Sequence, residues 1–327
     1  MVALLGCGQM GEAHLQNIYY KENVYIKYVC DLDLEKAKLF QRKFFAEQAI
    51  TDFTVCIKDP EVDIVIISTY PETHTDILKI CLTNGKHVLC EKPISHTYEE
   101  AQKFIELTRA FPACKVLIGH ILRHNTTYNR VASLINEGVI GSPIVMRFVQ
   151  NHHPINWNRY KALICQTSPI IDCGVHYFDI MQWVTGEKII NVSGISQRIA
   201  TDLPEDKYDY GIVTLRLSGG SVGYYEAGWS RTTASENVKE FIGPKGRIRI
   251  VYAENRATHK EEGDLVEIYK VPDGTYESIN ILSKRKPTDI QFDYLIEMIE
   301  KNAPAKPTLE EALAVCKWTF KADKIIH

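Results

Sequence analysis

No stretch of this 327-residue chain is apolar for long enough to cross a membrane as a helix. The longest candidate, VDIVIIS at 62–68, has the length of a buried strand. Neither charge dominates: 38 Lys and Arg stand against 41 Asp and Glu, a net charge of −3. The chain therefore has no basic field to hold nucleic acid or an anionic membrane. No Cys-x-x-Cys occurs among the nine scattered cysteines, and their number is odd. That pattern predicts reduced thiols in a cytoplasmic protein. Neither Cys165, Cys173 and His176 nor His152 and His153 have a recognised zinc spacing, so no metal is expected. The opening MVALLGCGQMG has no basic leader and turns glycine-rich after Leu5, so no signal peptide is expected. Internal repeats and low-complexity segments are missing as well.

What the chain does have is an ordinary globular composition, 45% apolar and 24% charged, at a length that suggests two domains. From the start, strand-like runs alternate with helix-like runs. VALL (2–5) precedes an amphipathic stretch from Gln9 to about Lys21, and VYIKYVC (24–30) precedes LEKAKLFQRKFF (34–45). VDIVIIS leads to HTDILKICLTNG (74–85), KHVLC (86–90) leads to YEEAQKFIELTRA (98–110), and CKVLIG (114–119) closes the series. This alternation predicts a doubly wound parallel sheet. Inside it GCGQMG places Gly6, Gly8 and Gly11 between a strand and a helix. In a dinucleotide site the first glycine permits the turn, the second admits a pyrophosphate and the third lets helix and strand pack closely. Backbone N–H groups at the helix start, with Gln9 and Met10, would face the phosphates. Asp31 follows twenty residues after Gly11. A carboxylate there accepts from ribose hydroxyls and repels a 2′-phosphate, which favours NAD while leaving NADP open. The alternative role for Asp31 is a cap for the 34–45 helix, which Asp33 could fill equally well.

Past residue 140 the pattern changes. PIVMRFVQ (143–150), IINVSGISQRIA (189–200), YGIVTLRLS (210–218), SVGYYEAGWS (221–230), VKEFIG (238–243), GRIRIVY (246–252) and DLVEIYK (264–270) read as strands separated by Gly-rich turns. Helical stretches follow near 288–301 and 308–322, and GHILRHN (119–125) and KNAPAKP (301–307) are linker candidates. In PIIDCGVHYFD (169–179), Asp172, His176 and Asp179 are spaced to share one helix face. The residues alone leave a catalytic acid–base pair, a metal site and a polar helix start all open.

Four segments occur in order: the glycine loop, Thr69-x-Pro71-x-x-His74, Glu91-Lys92-Pro93 and DCGVHYFD. Together they resemble the Gfo/Idh/MocA oxidoreductases, over nearly the whole chain. The resemblance implies a Rossmann domain over 1–120 and an α+β domain with a large open, mostly antiparallel sheet over 121–307. A last helix, about 308–327, is expected to pack back on the Rossmann domain. It implies NAD(P), held by the glycine loop, Asp31, Thr69, Pro71, His74, Glu91 and Lys92. It also implies a carbohydrate substrate and a homodimer or homotetramer formed through the sheet. Lys92, Asp172 and His176 match the family's Lys/Asp/His catalytic set. His176 is then the general base in oxidation, Lys92 the donor to the reacting oxygen, and Asp172 the partner that binds a substrate hydroxyl and tunes His176. A cis bond before Pro93 would fix the lysine's backbone, and Asp179 reads as structural. The expected activity is hydride transfer between nicotinamide and a secondary alcohol or ketone of a sugar or polyol. The alternatives are a redox-neutral sugar-modifying enzyme and a non-enzymatic nucleotide-binding regulator. One departure stands out: many relatives carry glycines where this chain has Ser168-Pro169. That implies a different pocket wall; other pocket candidates are Arg123, Asn125, His153, Trp157 and Tyr160, each with plain packing or a solvated loop as its alternative.

Overall fold

The computed structural model describes residues 1–327 and divides them into two compact units. The first comprises Met1–His124 and Arg285–Cys316, the second Asn125–Lys284 and Lys317–His327. In the first unit β1 (Val2–Leu5), β2 (Ile26–Cys30), β3 (Gln48–Ile50), β4 (Ile64–Ile67), β5 (His87–Cys90) and β6 (Val116–Ile118) form one parallel sheet in the order β3-β2-β1-β4-β5-β6. The connecting helices are α1 (Gln9–Ile18), α2 (Leu34–Phe44), α3 (Phe53–Lys58), α4 (His74–Thr83) and α5 (Tyr98–Ala110). Both faces of β1 and β4 are buried, which is why VALL and IVII are unbroken apolar runs rather than alternations. β3 and α3 escape the sequence pattern: β3 is three residues of half-exposed edge, and α3 is barely two turns.

The second unit opens with α6 (Thr126–Asn136), β7 (Val145–Asn151), α7 (Trp157–Gln166) and α8 (Pro169–Thr185). Strands β8 (Ile189–Gln197), β9 (Tyr210–Leu217), β10 (Val222–Gly228), β11 (Glu236–Gly243), β12 (Gly246–Val251), β13 (Asp264–Lys270) and β14 (Thr275–Ile281) follow. Eight strands pair in the order β14-β13-β12-β11-β7-β10-β9-β8, antiparallel throughout except between β7 and β10. One face alternates into the core, as Val213, Leu215 and Leu217 do on β9. α8 lies on that face. The sheet admits it through small residues: a Cβ on Gly211 would stand 2.9 Å from Ile170, and one on Gly174 of the helix 3.0 Å from the Tyr225 ring.

α9 (Thr288–Lys301) returns to the first unit, where Phe292, Leu295 and Met298 join the core of Val2, Ile64 and Leu89. α10 (Leu309–Ile326) begins in the first unit, where Glu310 pairs with Arg109 at 2.6 Å, and ends in the second, where Asp323 accepts from the Tyr208 hydroxyl at 2.5 Å. All nine cysteines are free thiols, and only Cys165, on α7, is exposed.

The turn between β1 and α1 separates three glycines by physical need. Gly6 has φ +94°, and a Cβ there would stand 2.6 Å from the Ser68 carbonyl oxygen. A Cβ on Gly11 would overlap the Gly6 carbonyl, whereas one on Gly8 would meet nothing within 4 Å. Gly6→Ala should therefore lower unfolding free energy by roughly 1–3 kcal/mol, and Gly8→Ala should change it by no more than about 0.5 kcal/mol. Urea titrations of the two variants check the contrast. A second expectation concerns acid. Burial lowers the His124 pKa to about 4, against the ordinary 6.5, so the folded state favours the neutral ring. Below pH 6.5 the unfolded chain takes up a proton that the folded one refuses, so stability falls as pH drops from 6.5 towards 4. The contribution is complete above pH 6.5 and amounts to about 3 kcal/mol at its limit. Urea midpoints at pH 7 and pH 4.5 should differ less in His124→Gln than in the parent.

Candidate active site

α1 begins with an N-terminus that no side chain caps, because its cap residue is Gly8. The first N–H groups of the helix are thus left for a ligand, beside the open flank of Gly8. The turn is locked from below, where the Ser68 hydroxyl reaches the carbonyls of Leu5 (2.9 Å) and Gly6 (2.8 Å). Asp31 sits directly after β2 and accepts from the backbone N–H of Cys7 at 2.8 Å and of Asp33 at 2.9 Å. Asp33, not Asp31, caps α2, accepting from Glu35 and Lys36. Asp31 is therefore tied to the glycine turn itself, where a ribose carboxylate acceptor belongs. A turn with an open second glycine, an uncapped helix start and an adjacent carboxylate fits a dinucleotide.

The ends of β4 and β5 border the same unit. Thr69 and Thr73 share a hydroxyl–hydroxyl bond of 2.8 Å across the short 3-10 turn that Pro71 opens. His74 is fully buried and braces the Thr69 carbonyl through Nε2 at 3.1 Å. Burial lowers its pKa, which keeps the ring neutral. Glu91 is buried too, with His14 Nε2 2.7 Å from its carboxylate. Burial alone would raise the Glu91 pKa, but the His14 bond, the His14 charge and Lys92 outweigh it and hold it low. His14 is a residue the sequence analysis missed, and its signal was a polar group on the apolar face of α1, between Gly11 and Leu15. The Lys92 backbone N–H meets the second Glu91 oxygen at 3.3 Å, and the Lys92–Pro93 peptide is cis. The lysine thus emerges from a backbone that a buried anion anchors.

In the second unit Ser168 caps α8, accepting from the Ile171 N–H at 3.0 Å, with Pro169 in the first turn. The Ser168-Pro169 departure is therefore a helix start, and Asp172 is not the cap. Asp172 and His176 stand one turn apart, both half-buried, on a helix whose Cys173, Gly174, Val175, Tyr177 and Phe178 are buried. Asp179 is 1% exposed. Beside this patch the Tyr160 hydroxyl meets His152 Nδ1 at 3.2 Å, and the Trp229 ring lies 5.7 Å from Tyr160 and 6.4 Å from His152. Burial raises the Tyr160 pKa, with the Cys173 and Asp172 charges adding to it.

Of the pocket candidates in the second unit, Tyr160 joins this cluster. His153 is exposed and binds the Thr233 carbonyl at 3.1 Å, and its neighbour His152 takes the position beside Tyr160. Trp157 donates to Asp202 at 2.9 Å under the Arg231 guanidinium. Arg123 belongs to the first unit, 3% exposed and 3.4 Å from Glu311. Asn125 caps α6 through the Tyr128 N–H at 3.1 Å and donates to the Lys284 carbonyl at 3.0 Å.

Comparison with known proteins agrees with both units. A profile described as an oxidoreductase family with an NAD-binding Rossmann fold matches residues 1–120, and the profile of the GFO/IDH/MocA C-terminal domain matches 128–249. The myo-inositol 2-dehydrogenase of Thermotoga maritima is 24% identical over 252 residues, covering 76% of this chain and 74% of that protein. Inositol 2-dehydrogenase 2 of Mycolicibacterium vanbaalenii is 28% identical over 250 residues, 76% of this chain and 72% of that protein. Among solved structures, myo-inositol 2-dehydrogenase from Lactobacillus plantarum superposes with a TM-score of 0.84 at 18% identity, covering 99% of this chain and 96% of that one. An Agrobacterium radiobacter oxidoreductase in complex with NAD+, L-tartaric acid and magnesium gives 0.82 at 18% identity, over 99% of this chain and 95% of that one. With both profiles matched in order and the fold shared from end to end, the chain belongs to the Gfo/Idh/MocA family of NAD-binding oxidoreductases.

Proposed function

We propose that the protein is an NAD-dependent dehydrogenase acting on a secondary alcohol, or the corresponding ketone, of a polyol or sugar of the inositol kind. The observation that carries this reading is the Asp172–His176 pair, one turn apart and half-open on a helix that buries 11 of its 17 residues and is capped by a different residue. The inositol dehydrogenases among its relatives support the substrate class.

Bound NAD supplies the hydride acceptor, or in reverse the hydride. The open flank of Gly8 and the α1 N-terminus would hold its phosphates, and Asp31 the ribose hydroxyls. His176 takes the hydroxyl proton, since an imidazole titrates near working pH. Asp172, one helical turn before His176, holds a neighbouring hydroxyl. Lys92 donates to the reacting oxygen, where an ammonium stabilises developing alkoxide charge. The substrate itself is expected to be held without metal.

We also propose that a second copy of the chain seats on the open face of the eight-stranded sheet, where the exposed aliphatics Val145, Ile195 and Ile242 lie among Arg147, Glu240 and Arg247. The free thiols suit a reducing, cytoplasmic setting.

Absorbance of NADH, with NAD and a panel of polyols, aldoses and sugar acids, tests the activity. One compound should give NADH, and His176→Ala should lower its kcat by about 10²- to 10⁴-fold. Gly8→Ala should raise the NAD KM at least about tenfold by filling the phosphate approach. A flat trace with every compound counts against the dehydrogenase reading. Ile242→Asp should shift the sedimenting species to a smaller assembly, and an unchanged sedimentation coefficient would rule out that face.

A further inference from the structure

Two neighbouring donors in the segment after β10 have no hydrogen-bond partner. Trp229 is 2% exposed and Thr233 8%, and neither Trp229 Nε1 nor Thr233 Oγ1 makes a hydrogen bond. Both are shut off from solvent. Buried donors without acceptors are rare, because each has lost its water and gained nothing in return. These two lie four residues apart in the segment after β10, flanking His152 and His153: the Trp229 ring faces His152 at 6.4 Å, and the Thr233 carbonyl takes the His153 ring at 3.1 Å.

What covers this segment is held lightly. α7 buries a single side chain, Ile164. Tyr160 closes edge-on over Trp229 at 5.7 Å, and Asp202 is a shared surface tie for Trp157 and Lys161 of the helix. There Asp202 accepts from Trp157 Nε1 (2.9 Å), Lys161 (3.2 Å) and Arg231 (3.1 Å). Arg231 stands between the two donors in sequence and stacks 5.1 Å over the Trp157 ring, so cover and floor share one latch. A helix with so few buried contacts belongs to the low-stability part of a fold, which opens without global unfolding.

We propose that α7 is a movable cover latched by Asp202, and that the Trp229 N–H and Thr233 hydroxyl beneath it bind oxygen atoms of the substrate. An indole N–H only donates, so it selects an acceptor oxygen at that position, as a hydroxyl or carboxylate of a polyol or sugar acid provides. A substrate group that supplies this oxygen is favoured, and its deoxy analogue leaves the donor stranded. This assignment rests on the dehydrogenase reading for the identity of the ligand, but not for its test.

Trp229→Phe removes the N–H and keeps an aromatic ring. Without any small molecule its melting temperature should match or exceed the parent's. A fall of more than about 4 °C would show that the N–H is already bonded within the protein, and would overturn the assignment. With the panel compound that the parent oxidises, KM should rise about ten- to a hundredfold while kcat changes less than about threefold, and an unchanged KM overturns it. Thr233→Val is the second variant, with the same expectations, should the tryptophan change prevent folding. Asp202→Asn tests the latch by trypsin cleavage after Arg159 or Lys161, both on α7, which should speed up at least about fivefold. An unchanged cleavage rate would refute the cover. If the parent oxidises no compound, the dehydrogenase reading fails on its own, and the melting and cleavage results still decide the inference.

Discussion

The first unit depends on a close approach of three backbones. Gly6 donates to the Cys30 carbonyl at 2.8 Å, and the Ser68 N–H and hydroxyl reach the Leu5 carbonyl at 2.8 and 2.9 Å. Here β1, β2 and β4 all end within a hydrogen bond of one glycine. The ligand-facing end of the sheet is thereby a rigid ledge rather than a set of loops. Asp31 extends it through the Cys7 N–H, and the Glu91–His14 pair fixes the next strand end from beneath. A buried hydrogen-bonded pair of this kind adds little net stability, because desolvation offsets attraction. Its effect is directional: it orients the peptide from which Lys92 departs.

The second unit solves a matching problem with a helix. α8 carries Asp172 and His176 on its open side and is seated on the sheet by glycines on its closed side. Seating by backbone-close contact leaves little freedom to roll about the helix axis. Rotation by one residue would bring a buried apolar side chain to the site and bury a carboxylate. The same packing that excludes water from the core therefore sets the direction of two polar groups.

Much of this was legible in the chain. Buried parallel strands leave unbroken apolar runs, and VALL and VDIVIIS announced the sheet directly. The glycine triplet was readable from its place between a strand and a helix, and the fold gives Gly6 and Gly11 their steric reasons while leaving Gly8 open. Other features left weak traces. β14 is almost wholly exposed, so it has no apolar alternation to find, and β3 is too short for a period. α7 shows little pattern because it buries almost nothing. Among the candidate site residues, Asp172 and His176 were visible through their four-residue spacing. His14 and His152 were not, since their partners Glu91 and Tyr160 come from other elements and only the fold joins them. Trp157 and Arg123 were pocket candidates by type, and the fold adds the partners that type alone could not show, Asp202 for Trp157 and Glu311 for Arg123. Asp31 and Asp33 were interchangeable as caps on paper, and two backbone N–H groups separate them in space.

The distribution of sulfur has a practical side. Eight thiols are buried, and burial raises the pKa of several of them, Cys7 and Cys30 to about 12. Thiols held protonated and shielded react slowly with electrophiles. Cys165 alone is exposed, and it rides on the helix above Trp229. The natural sequence thus carries a single addressable point for a maleimide dye or nitroxide, with no engineered cysteine and none to remove. That point lies on the helix proposed as a movable cover, so a spectroscopic signal read there follows that helix directly.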